Sequence, residues 1–161
     1  MCKYTMCFII QKDSILLLNR EKSKWMGSWN GIGGKFINEE ETPMMCIKRE
    51  VYEETGINIK HFNYKGIINR VEDNIQSGEI YVFTAELPEN ITYTTPRKTR
   101  EGILDWKLIS WILHPENTGV ATNIPQFLPL LLESDEIYEH SCVYENNYLV
   151  ECKSTKLSNQ S

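Results

Sequence analysis

The sequence predicts a single mixed α/β domain. Stretches rich in β-branched and aromatic residues, such as "YTMCFIIQ" and "GEIYVFTAEL", read as strands, and a capped, amphipathic segment over 43–55 reads as a helix. No internal repeat and no linker divides the chain, and 161 residues suffice to bury one core.

The elements follow in order. "YTMCFIIQ" and "SILLLNR" are two strands about a tight turn at Lys12–Asp13, and the Gly- and Trp-rich stretch 21–34 is a loop leading into a short strand. Thr42 suits a helix N-cap, Pro43 the first helical position and Gly56 the position just past the end, so 43–55 spans about three and a half turns. "HFNYKGIINRV" and "GEIYVFTAEL" form a second hairpin around "EDNIQS". Residues 88–101 are a loop, and "LDWKLISW" resumes a strand with Trp106 and Trp111 in its core. After a second loop over 115–125, "IPQFLPLLLES" holds the last helix, and "HSCVYENNYLVEC" closes as a hairpin about Asn146–Asn147. The domain is expected to cover 1–152, with 153–161 a flexible tail.

Bulk properties exclude several classes. The net charge is −5 with Lys and Arg scattered, whereas polymeric nucleic acid demands a continuous basic surface. No apolar run approaches the roughly 20 residues that cross a bilayer, and no signal-like leader opens the chain. Five cysteines without a CxxC pair argue against a disulfide framework or a structural zinc, and fit a reducing cytoplasm. His61, His114 and His140 lack metal-ligand spacing and read as surface or structural, and Cys46 reads as a small buried thiol.

On the 43–55 helix, Met44, Ile47 and Val51 form an apolar stripe, while Glu50, Glu53 and Glu54 share another face. Like charges at these spacings cost roughly 0.2–0.5 kcal/mol per pair, and acids near a helix C-terminus oppose the macrodipole. A divalent cation reverses both effects, since oxygen-rich clusters are what hard Mg²⁺ requires. A solvated acidic face is the competing reading of these charges.

The flanking residues decide between them. "REVYEETGI" at 49–57, preceded by Glu41 and a Gly-rich stretch, resembles the signature of the Nudix hydrolase family. Arg49, Glu50, Val51, Glu53, Glu54, Gly56 and Ile57 match, while six residues rather than five separate Gly34 from Glu41, which implies a one-residue bulge in the loop "FINEE". The resemblance implies an α/β/α sandwich with a mixed β-sheet, and hydrolysis of a nucleoside diphosphate derivative with Mg²⁺, or Mn²⁺ in its place. It implies Glu50, Glu53 and Glu54 as metal ligands with the Gly33 carbonyl, and Arg49 orienting them together with Glu41. Glu53, Glu54 or Glu101 would serve as the general base, with an exposed loop acid the alternative for Glu101.

"GSWNGIGGK" is similar to the base-pocket entrance of the purine nucleoside triphosphate hydrolases of this family, including those that remove 8-oxoguanine nucleotides. That likeness implies Trp29, Asn30, Gly34, Lys35 and Asn123 at the substrate, although Asn30 equally suits a turn residue before Gly31. Asn123 stands where the mammalian enzymes carry an acidic pair. Trp25 and Trp29 either stack on a base or cap the core. The expected activity converts oxidised purine triphosphates such as 8-oxo-dGTP to monophosphate and pyrophosphate in nucleotide-pool sanitation. Other nucleoside diphosphate derivatives and a non-catalytic ligand-binding role are the alternatives. The partner is a small nucleoside triphosphate, and the chain a monomer or homodimer.

Overall fold

The structure, a computed structural model, describes residues 2–21 and 27–157. The strands are β1 (Cys2–Gln11), β2 (Ser14–Arg20), β3 (Trp29–Asn30), β4 (Asn63–Glu72), β5 (Ile75–Glu86), β6 (Arg97–Lys98), β7 (Gly102–Leu108), β8 (Tyr138–Glu145) and β9 (Tyr148–Lys156). The helices are α1 (Pro43–Thr55), α2 (Ile109–Ile112) and α3 (Ile124–Glu133). The strands form one mixed sheet in the order β6-β7-β2-β1-β5-β4-β8-β9, with β3 attached to β2. The β1–β5 and β4–β8 pairs are parallel, and the rest are antiparallel.

Period-two alternation builds two cores from the same strands. Met6 and Phe8 of β1, with Ile15 and Leu17 of β2, face α2 and α3, where Ile112, Phe127, Leu128 and Leu131 meet them. Cys7 and Ile9, with Leu16 and Leu18, face α1, which contributes Ile47 and Val51. Each fully buried aliphatic side chain stabilises this arrangement by about 1.5–3 kcal/mol. The result is helix, sheet, helix in three layers.

The sheet splits where the site forms. β1 pairs with β2 only over Ile9–Gln11. Ahead of that point β2 turns away to pair with β3, and the strap 32–35 takes its place beside β1 through Cys7–Ile32 and Tyr4–Lys35 bridges. Gly33 belongs in this strap because a Cβ there would collide with the Thr5 carbonyl.

Several boundaries differ from the sequence expectation, each for a local reason. Asp73 and Asn74 both hold positive φ, a two-residue turn that lets β4 and β5 pair up to Glu72 and Ile75. "EDNIQS" is therefore mostly strand. The β2–β7 ladder ends at Ser14–Leu108, and Ile109 then donates its N–H to Asp13 O. With no strand left to pair, the chain coils into α2, so Trp111 is a partly exposed helical residue rather than strand core. The 88–101 loop holds the short strand β6. β9 continues to Lys156, paired with Tyr138, so residues 153–156 belong to the sheet rather than to a tail. His140 is fully buried and bonded through Nδ1 to Ser154 Oγ at 2.6 Å, and burial lowers its pKa to about 4.

Candidate active site

α1 begins and ends as its sequence requires. Thr42 Oγ1 accepts from the Met45 N–H at 3.1 Å, a cap worth about 1 kcal/mol. Gly56 adopts φ 75° and donates to Tyr52 O at 2.8 Å. Between these ends the helix turns its acids toward the strap. A Cβ at position 34 would lie 2.6 Å from both carboxylate oxygens of Glu50. Gly34 is thus the only residue type that lets Glu50 reach the strap undisturbed.

Arg49 organises the outer part of the cluster. Its Nε and Nη2 donate to Glu41 Oε2 and Oε1 at 2.9 and 3.0 Å, and its Nη1 donates to Glu50 Oε1 at 2.8 Å and Glu53 Oε2 at 3.3 Å. Nη2 also reaches Lys35 O at 3.2 Å, which ties the strap to the helix. The fork holds the Glu41 carboxyl well down, at about 2, and raises the guanidinium's own pKa. The extra residue ahead of Glu41 is absorbed locally: Asn38 Oδ1 accepts the N–H groups of Glu40 and Glu41 at 2.9 and 3.0 Å. Glu41 Oε1 in turn accepts from Ile37 N at 3.0 Å. This compact turn delivers Glu41 to Arg49 despite the altered spacing.

Arg20, at the end of β2, organises the inner part. Its Nη2 donates to Gly33 O at 2.8 Å. Its Nη1 lies 3.8 Å from Glu54 Oε1 and 3.6 Å from Glu101 Oε2. Pairing of Arg20 with Gly102 in the β2–β7 ladder is what brings Glu101 alongside. Glu54 retains 5% side-chain exposure, and its Oε2 is buried without a hydrogen-bond partner. Burial pushes its pKa up to about 8, against the pull of Arg20 and with the push of Glu50 and Glu101. Glu50 is also raised, chiefly by burial and in spite of Arg49.

These groups open onto one pocket of about 500 Å³, lined by Gly33, Gly34, Lys35, Glu50, Glu54 and Glu101 together with Asn30 and Asn123. Its wall toward β4 and β8 carries Arg70, Tyr144 and Asn147, with Tyr4 and Ile80 between. The Arg70 guanidinium lies 4.1 Å above the Tyr144 ring. Asn123 is buried here just ahead of α3. The Oδ1 of Asn30 accepts from the Gly31 N–H at 2.8 Å, which leaves its amide to reach a ligand.

Glu53, Arg49 and Trp29 do not line the pocket. The Glu53 side chain is 57% exposed on the outer side of Arg49. Trp29 packs at the margin of the α2–α3 core beneath Lys107, whose Nζ lies 4.4 Å from the ring centroid. Between stacking and packing, Trp29 therefore packs. Trp25 lies outside the described residues. The sequence reading missed Arg20, Tyr4, Arg70, Tyr144 and Asn147. A cation closing a strand just before a Gly-rich loop was the available signal for Arg20; the others depend on strand register.

The donor set fits Mg²⁺. Glu50, Glu54, Glu101 and the Gly33 carbonyl are hard oxygens, and the unpartnered Oε2 of Glu54 is a buried acceptor with unmet demand. Among the described residues no three acidic, His or Cys side chains converge tightly enough to enclose an ion as they stand. Arg49 draws Glu50 and Glu53 one way, while Arg20 stands between Glu54 and Glu101 and occupies Gly33 O.

A family model described as NUDIX domain matches residues 3–131. The chain is 26% identical over 142 residues to the oxidized purine nucleoside triphosphate hydrolase of Mus musculus, covering 85% of this chain and 83% of that protein. The crystal structure of the MutT protein from Bacillus halodurans aligns with a TM-score of 0.77 at 25% identity, over 96% of this chain and 97% of that one. The MutT protein from Methanosarcina mazei Go1 shares the fold at 24% identity, with a TM-score of 0.61 over 81% and 91% of the two chains. Among the described residues no helix is long and apolar enough to cross a membrane.

Proposed function

The chain belongs to the Nudix hydrolase family, and from that premise we propose that it is a Mg²⁺-dependent purine nucleoside triphosphate pyrophosphohydrolase, releasing monophosphate and pyrophosphate, with oxidised nucleotides such as 8-oxo-dGTP among its substrates. The observation that carries this reading is the make-up of the pocket that Glu50, Glu54 and Glu101 line. Its carboxylates gather with Arg20 on the side of β2 and β7, while amide, aromatic and guanidinium groups line the wall toward β4 and β8. Polyphosphate bridged by a cation suits the first side. A base, with its π face and mixed donor and acceptor edge, suits the second. The likeness to the mouse enzyme supports the oxidised-purine preference.

Glu50, Glu54 and the Gly33 carbonyl would hold Mg²⁺, with Glu53 as an outer carboxylate steered by Arg49. When bound, Mg²⁺ supplies charge neutralisation for the polyphosphate and makes the attacking water more acidic. Arg20, which now donates to Gly33 O at 2.8 Å, would give up that contact if the carbonyl held Mg²⁺ and could then meet a phosphate oxygen. Glu101, at the rim and half exposed, takes the proton of the attacking water. Asn30 and Asn123 read the base edge.

The test is a Mg²⁺-dependent assay across 8-oxo-dGTP, dGTP, ATP, ADP-ribose and a diadenosine polyphosphate, with products identified. The expected result is the highest kcat/KM on an oxidised or ordinary purine triphosphate, with pyrophosphate released. Turnover confined to ADP-ribose or the dinucleotide, or orthophosphate as the sole inorganic product, overturns it.

A further inference from the structure

Away from the carboxylates, β8 and β9 bring two thiols face to face. Cys142 and Cys152 are direct partners in the antiparallel ladder, and their Sγ atoms lie 2.8 Å apart. Opposed residues of an antiparallel pair point to the same face, with Cα separations of about 4.5–5.5 Å, inside the range a disulfide spans. The register already sets the two side chains opposite one another. Cys142 is fully buried, whereas Cys152 is partly accessible on the edge strand. The hydrogen bond the two thiols share lowers the Cys152 pKa, and the same contact together with burial pushes Cys142 up. Cys152, the thiol that solvent reaches, is the nucleophile, and the buried Cys142 is the shielded resolving thiol.

The pair sits beside the pocket wall. Cys142 is the register partner of Arg70 on β4, and two residues further on Tyr144 enters the pocket, followed by Asn147 at the turn. A register shift between Val143 and Tyr144 interrupts the ladder just there.

We propose that Cys142 and Cys152 are a redox-active dithiol that closes to a cross-strand disulfide on exchange with low-molecular-weight disulfides, and that closure stiffens the Arg70–Tyr144 wall of the pocket. The Cys152 thiolate attacks the small disulfide, forming a mixed disulfide and expelling one small thiolate. Cys142 loses its proton and attacks the Cys152 sulfur, expelling the second. Two protein thiols are oxidised by two electrons, and the small disulfide is reduced to two thiols that carry the protons away.

The full chain is equilibrated with oxidised glutathione, alkylated under denaturing conditions, digested and weighed. Tm and KM for a hydrolysed nucleotide are measured before and after. Expected are a product lighter by two hydrogens, a cross-link confined to Cys142 and Cys152 and reversed by dithiothreitol, a Tm raised by roughly 5 °C, and a severalfold change in KM. C152S, altered at the less buried position, shows none of these shifts under the same treatment. Cys142 and Cys152 both still alkylated after equilibration, or a glutathione adduct on Cys152 that never resolves, overturns the proposal. A disulfide that forms while KM stays unchanged overturns the coupling to the pocket wall. The mass readout needs no turnover, so its failure is separable from failure of the proposed hydrolase activity.

Discussion

Arg49 meets three carboxylates at 2.8 to 3.3 Å and closes a fork on one of them, whereas Arg20 stands 3.6 and 3.8 Å from two carboxylates and spends its best hydrogen bond on a carbonyl. In the Arg49 group every acid is matched, and Glu41 is held at about 2. In the Arg20 group Glu54 keeps an unpartnered oxygen and a pKa near 8. The two clusters share α1 and the strap, so their difference is one of purpose. A satisfied network rigidifies, while a buried group left short is an opening for a ligand.

Substitutions at three positions sharpen or break that contrast. The largest effect is expected from Glu54→Gln, with hydrolysis falling by about 10³-fold. The same change should raise the stability of the metal-free protein by roughly 1–2 kcal/mol, since it removes a strained buried acid. The pH dependence gives the sign. The folded state holds the Glu54 proton more tightly than the unfolded state, so its contribution is present below pH 4.5 and lost as pH rises toward 8. Urea unfolding of chelator-treated wild type should show that decline, and E54Q should lack it; a lower Tm for E54Q at pH 8 would mean that Glu54 is already satisfied.

Next comes Arg49→Ala. Loss of the fork should destabilise the fold by roughly 2–3 kcal/mol and lower kcat by about 10²-fold. Arg49→Lys, unable to make the bidentate contact with Glu41, should recover only part of either. Thermal unfolding beside steady-state kinetics checks this, and an unshifted Tm would remove the scaffold role. The smallest effect belongs to Arg20→Gln. Stability should change by less than about 0.5 kcal/mol, because its ion pairs are long, while KM rises about tenfold. A fall in kcat with KM unchanged would place Arg20 in the transition state rather than in binding.

The contrast also marks what a sequence can disclose. α1, its caps, its buried stripe and the Arg49–Glu50–Glu53–Glu54 spacing are local, so residue order alone carries them. A mixed α/β domain is legible for the same reason, since strands and helix each declare their period, whereas the three-layer sandwich is implied only by the resemblance that "REVYEETGI" carries. Glu54 and Glu53 look interchangeable in the sequence, yet one is buried and one exposed, because the strap and Arg20 cover only one side of the helix. Tyr4, Arg70 and Tyr144 reach the pocket from three strands far apart in the chain, and only the β1–β5–β4–β8 register brings them together. Trp111 misled, and Trp29 stayed open between binding and packing, because an aromatic in a short apolar run looks the same whether it binds, packs or flanks a ladder's last rung.

The Asn38 turn separates the length of its loop from the geometry of the site. Its side chain folds the residues before Glu41 back on themselves, so what is held constant is the meeting of an acid with a guanidinium and not the number of links between the glycine and that acid. The extra link in this loop then costs the site nothing, because the turn still delivers Glu41 to Arg49.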